Sequence, residues 1–122
     1  MTITFPGGER VDASFDGRTV ATDQEGSAPS PFELFLASIG TCAGVYVARF
    51  FRQRGIPTEG LSLRQSMHVD PGSRRIDRIE IMIDLPSGFP ESYRAAVVRA
   101  AGLCTVKRHL ENPPEIAVRT GV

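Results

Sequence analysis

The chain holds two cysteines, Cys42 and Cys104, and these are the residues whose chemistry has to be decided first. Cys42 lies in "SPFELFLASIGTCAGVYVARFF", residues 30–51, and Cys104 in "LCTVKRHL", residues 103–110. A thiol in so apolar a run is core filler, part of a membrane span, or a nucleophile with apolar walls. As filler, Cys42 would pack between Ser38 and Tyr46, one helical turn away on either side, and Cys104 below Ala100. As a nucleophile, Cys42 would need a nearby cation, because apolar surroundings push a thiol pKa up. Cys104 precedes a short helix with Lys107 and Arg108 close by, a setting that lowers a thiol pKa.

Bulk composition narrows the partners. Fourteen acidic and fourteen basic residues cancel over 122 residues, without a basic block, so a nucleic-acid partner is not expected. An apolar fraction of 41% describes an ordinary globular protein, expected as a single domain over residues 1–122. The opening residues MTITFPGGER lack the basic start and apolar run of a signal peptide. A reducing cytoplasm is the expected location, where a cysteine pair matters more as redox chemistry than as a staple. A membrane span is not expected either, since Glu33, Ser38, Gly40, Thr41 and Gly44 interrupt the apolar run.

The other candidate groups are few. His68 falls on the polar face of its strand and His109 near a helix C-terminus, where a partial positive charge is favourable without catalytic duty. No zinc-ligand spacing joins the two Cys and two His, and no glycine-rich phosphate loop follows a strand. No cofactor and no metal are expected.

The elements that position these residues follow from local signals. Val11, Ala13 and Phe15 alternate, Asp16-Gly17 makes a two-residue hairpin turn, and Val20 returns. That register sets Phe15 opposite Arg18 and places Arg18 on the apolar side of the hairpin. Ser30, Pro31 and Glu33 form a helix start with an S-x-x-E capping box. Arg52, Arg54 and Gly55 mark the helix end, with Ile56 folding back on Phe51. Leu61, Leu63, Met67 and Val69 share a face, Asp70-Pro71-Gly72 turns, and Ile79, Ile81, Ile83 and Leu85 return. A second helix opens at Pro90, carries Tyr93, Val97, Ala100, Ala101 and Cys104, and breaks near Gly102, with a short helix then running to Leu110. A last strand is expected with Ile116, Val118 and Val122 alternating. The fold class is α+β around one very apolar helix, and a homodimer would cover the surface that this chain's short sheets leave open.

In this order, "SPFELFLASIGTC", "RQRGI" and "LCTVKRHL" resemble the OsmC/Ohr family, the osmotically inducible and organic hydroperoxide resistance proteins. The likeness spans nearly the whole chain. It implies an intertwined α+β homodimer with reactive thiols at the subunit interface. It also implies thiol-dependent reduction of organic hydroperoxides or hydrogen peroxide, with Cys42 attacking, Cys104 resolving, and an external dithiol as reductant. The family's hydroperoxide reductases carry an arginine before an Asp-Gly turn, where this chain has Phe15. They carry a glutamate after the helix-opening proline, where it has Phe32. Arg18, across the hairpin from Phe15, is the substitute expected to reach a thiolate of the dimer partner, with Glu33 orienting it. The plainer readings are an ion pair of Arg18 with Asp16 or Asp23, and a purely capping Glu33. Phe15 and Phe32 also make the cleft greasier and less cationic. The alternative function is therefore a weakly catalytic or non-catalytic dimer that binds an apolar small ligand.

Overall fold

The computed structural model describes residues 1–121, which form a mixed α+β chain in two compact units, Met1–Ser38 and Ile39 onward. The N-terminal unit carries a three-stranded antiparallel sheet: β1 (Thr2–Gly7), β2 (Arg10–Phe15) and β3 (Arg18–Asp23), in that spatial order. The turn between β2 and β3 is Asp16-Gly17, with φ of 49° and 71°. Both residues are left-handed, as a two-residue hairpin matched to strand twist requires. Phe15 pairs with Arg18 and Ala13 with Val20, the expected register.

Helix α1 (Pro31–Gln53) crosses the boundary between the units and is fenced at both ends by its own sequence. The Ser30 hydroxyl accepts from the Glu33 amide at 3.1 Å, and the Glu33 carboxylate accepts from the Ser30 amide at 3.0 Å. This is the reciprocal capping box. At the other end Gly55 adopts φ 65°. Ile56 N–H donates to the Phe51 carbonyl at 2.9 Å and Gly55 N–H to that of Arg52 at 3.2 Å, a Schellman stop.

By length and composition α1 could cross a membrane. Its inner face does something else. Val47, Phe50 and Phe51 join Phe89 and Val97 in one buried cluster, flanked by Leu61, Leu63, Ile83 and Leu85. The Phe51 and Phe89 rings stack at 5.1 Å. Each such side chain stabilises the fold by about 1.5–3 kcal/mol on burial, so α1 is the core helix of the second unit.

That core is floored by the hairpin β4 (Ser62–Val69) and β5 (Ile76–Asp84), which pairs Leu63 with Ile83, Gln65 with Ile81 and Met67 with Ile79. Gln65 is the polar member of an otherwise apolar face. It lies against the α1 backbone at Gly40, where a Cβ would stand 2.5 Å from its Oε1. A single turn of 3-10 helix (Glu91–Tyr93) leads into α2 (Arg94–Ala101). After the break at Gly102, α3 (Thr105–Glu111) follows with Cys104 as its N-cap.

One expected element is absent. No strand forms over residues 113–121, although Ile116 and Val118 alternate as predicted, and Val122 lies outside the described residues. A strand is held by hydrogen bonds to a neighbouring edge. Without one, Ile116 and Val118 stand 83% and 91% exposed.

Candidate functional site

The second unit brings the two cysteines together. Cys42 sits in mid-α1, half-buried, while Cys104 is buried to 1% exposure at the head of α3; both are free thiols. The two thiols lie near enough for each to shift the other's titration. Cys104 Sγ accepts from the Lys107 amide at 3.4 Å, which makes the thiol a helix cap, and it lies 4.0 Å from the Ile39 carbonyl.

This arrangement separates the thiols electrically. Burial pushes Cys42 up, but its hydrogen bonds outweigh that: Cys104, then the backbone N–H groups of Val106 and Thr105, favour its thiolate. The Arg49 charge adds to them, and the net direction is down. Cys104 moves the other way. Its burial comes first, and its hydrogen bond to Cys42 and the negative charge there raise it further, against the donors of Lys107 and Val106. The lowered pKa expected for Cys104 from Lys107 and Arg108 is thereby overturned. A dry thiol beside a thiolate keeps its proton, whatever charge stands on the outer face of its helix.

Arg18 belongs to the N-terminal unit. It stands opposite Phe15 as the register predicts, but in solvent rather than inward, with its guanidinium 5.8 Å from the Phe15 ring centroid. Next to a turn, a guanidinium can lie along an aromatic ring and stay hydrated. The ion pairs with Asp16 or Asp23 are not formed among the described residues. Asp23 instead accepts from Glu25 and Ser27. Glu33 is engaged in its capping box, and its hydrogen bonds with Ser30 hold its carboxyl below the ordinary value. His68 contacts Asp77 at 2.6 Å on the exposed face of β4, and His109 bonds the Thr105 carbonyl within α3.

Sequence reasoning named Tyr46 only as a packing neighbour of Cys42 and missed Arg49. Tyr46 and Arg49 follow Cys42 at i+4 and i+7 on α1, a spacing that places them on one helix face. The Tyr46 hydroxyl lies 3.0 Å from Thr105 Oγ1, and the Arg49 guanidinium 5.4 Å from the Tyr46 ring centroid. Thr105 and Val106, which open α3, supply their backbone donors to the Cys42 sulfur. The helical spacing was available as a signal; the α3 donors were not, because they depend on tertiary packing.

A groove of about 480 Å³ is lined by Ile39 and Ala43 of α1, Ile81 of β5, Val97 of α2, and Lys107 and Leu110 of α3; neither cysteine lines it.

Comparison with known proteins follows the geometry. Residues 24–119 match the family model described as OsmC-like protein. A crystal structure of a candidate osmotic stress induced and detoxification response protein from Psychrobacter arcticus 273-4 superposes with a TM-score of 0.69 at 22% identity. That match covers 88% of this chain and 84% of the other. A hypothetical protein from Aquifex aeolicus VF5 superposes with a TM-score of 0.67 at 16% identity, covering 92% and 86%. At these identities the likeness is one of fold. None of the curated protein sequences matches significantly.

Proposed function

This chain belongs to the OsmC-like protein family, and on that footing we propose that it is a thiol-dependent peroxidase acting on organic hydroperoxides or hydrogen peroxide. The observation that carries the reading is the pairing of Cys42 and Cys104 with opposite pKa directions: a half-buried thiol biased toward thiolate beside a buried one biased toward thiol. The Cys42 thiolate attacks the distal peroxide oxygen and the O–O bond breaks. The alkoxide leaves as an alcohol after taking a proton from solvent, and Cys42 becomes a sulfenic acid. Cys104 then attacks that sulfur. An S–S bond forms, and the sulfenic hydroxyl departs as water with the proton of the Cys104 thiol. An external dithiol returns both residues to thiols.

The working unit we propose is a cytoplasmic homodimer, built on one domain over residues 1–122. Each unit leaves apolar side chains exposed for a second copy to cover, Phe32 and Phe35 in the first and Val45, Ile116 and Val118 in the second. Arg18 of that copy is proposed as an additional cation for the thiolate. Defence against oxidants accords with the detoxification response named for the Psychrobacter arcticus neighbour.

Dithiol-coupled consumption of cumene hydroperoxide tests the reading. Wild type should turn over and Cys42→Ser should not; equal rates in the two proteins would sink it. A second reading, an apolar-ligand carrier with little turnover, is favoured by the apolar lining of the groove. It predicts apolar cargo retained through purification and released by organic extraction. An empty groove with normal turnover would remove it.

A further inference from the structure

Cys42, Tyr46 and Arg49 form a ladder along one face of α1. Helical side chains lean toward the N-terminus of their own helix, so Arg49 reaches back toward Cys42 across the intervening turn. It stops over Tyr46, with its guanidinium carbon 5.4 Å from the ring centroid. The ring is fixed in turn, because the Tyr46 hydroxyl meets Thr105 Oγ1 at 3.0 Å. None of the ion pairs among the described residues involves Arg49, so no carboxylate cancels its charge. We propose that Arg49, held over the Tyr46 ring, is the in-chain cation that adds to the hydrogen bonds favouring the Cys42 thiolate, with Tyr46 as its positioning residue.

The inference rests on Cys42 being the attacking thiol, and it adds a source of activation that needs no second subunit. Arg18 would act from a partner copy; Arg49 acts from the helix that carries the sulfur. The other groups around Cys42 do not supply this charge. Cys104, at the head of α3, is the neighbouring titratable group and keeps its own proton. Lys107 is engaged by Glu111 at 3.5 Å. Strand β4 brings the neutral amide of Gln65 to α1 at Gly40. The Tyr46 phenol is occupied by Thr105. Arg49 is exposed, so its influence is one that salt can screen.

The test uses a Cys104→Ser background, in which Cys42 is the single thiol, and measures the rate of iodoacetamide alkylation against pH at low salt and in 1 M salt. Arg49→Ala should raise the midpoint by roughly half to one pH unit at low salt, a three- to tenfold loss of thiolate well below the midpoint. Arg49→Lys should restore most of the shift, and high salt should erase the difference between parent and Arg49→Ala. Tyr46→Ala should move the midpoint in the same direction as Arg49→Ala. Arg49→Gln preserves the length of the side chain and separates charge from packing. An unmoved midpoint in both Arg49→Ala and Arg49→Gln at low salt would overturn the proposal, and so would a shift that persists unchanged in 1 M salt. Peroxide turnover is scored separately on the two-cysteine protein. A moved midpoint without turnover defeats the peroxidase reading alone, whereas turnover with an unmoved midpoint defeats this one alone.

Discussion

The Lys107 amide donates to the Cys104 sulfur at 3.4 Å, so the proposed resolving thiol is also the N-cap of α3. Two roles in one atom complicate any substitution at this site, and they can be separated. Serine is among the best N-cap residues and alanine among the poor ones. Cys104→Ser should therefore keep α3, while Cys104→Ala should lose about 1 kcal/mol for the cap alone. Urea unfolding of the two variants reads the difference. Equal stabilities would mean that the Cys104–Lys107 bond contributes nothing to the fold.

With the cap preserved, Cys104→Ser isolates the chemistry. Its first turnover with peroxide should proceed at near wild-type rate, because the attack belongs to Cys42. The sulfenic acid then has no thiol partner within the chain and should climb to sulfinic acid under excess peroxide. Intact-protein mass spectrometry would find two added oxygens on Cys42 in the variant and a disulfide in wild type. A wild type that gains two oxygens as fast as the variant would refute the resolving role.

Alkylation of the wild-type pair should be unequal at every pH. The Cys42 thiolate forms as pH rises through a midpoint held below the ordinary thiol value, and is lost as pH falls through it. Cys104 is pushed the other way, above the ordinary thiol value, and is buried besides. Near neutral pH, a limiting dose of iodoacetamide should label Cys42 and leave Cys104 unmodified in a peptide map. Equal labelling of both would contradict the division between them.

The capping box should be pH-sensitive in a definite direction. Ser30 holds the Glu33 carboxyl below its ordinary value. A depressed folded pKa contributes stability that is present above the unfolded value and lost as pH falls through the folded one. The gap in thermal midpoint between wild type and Glu33→Gln should be open at pH 7 and should narrow as pH falls through the acid range. A gap that keeps its size throughout would remove the carboxylate charge from the cap.

What could be read in the sequence was what is local. Both ends of α1 were legible because Ser30, Glu33 and Gly55 act within a turn of their own positions. The β2–β3 register was legible because Asp16-Gly17 admits only a tight turn. Three things were not. The alternation of Ile116 and Val118 satisfies a strand pattern, yet no edge meets it among the described residues. The direction of the Cys104 shift turns on burial and on Cys42, which the nearby Lys107 and Arg108 do not reveal. The setting of Arg49 depends on a tyrosine tethered from α3, a contact between residues far apart in the chain.

The close approach of Gln65 to Gly40 ties the two positions historically as well as sterically. Alanine at position 40 would favour the helix by about 1 kcal/mol in isolation, but here it meets the amide of residue 65. The order of change therefore matters. A lineage that first shortens residue 65 opens position 40 to other side chains, whereas one that changes position 40 first must displace the amide before it gains. Once both have changed, restoring glutamine alone would be obstructed by the newcomer on the helix. The obstructing atom is the tip of a flexible side chain, so the constraint is a bias in the order of change and not a bar to it.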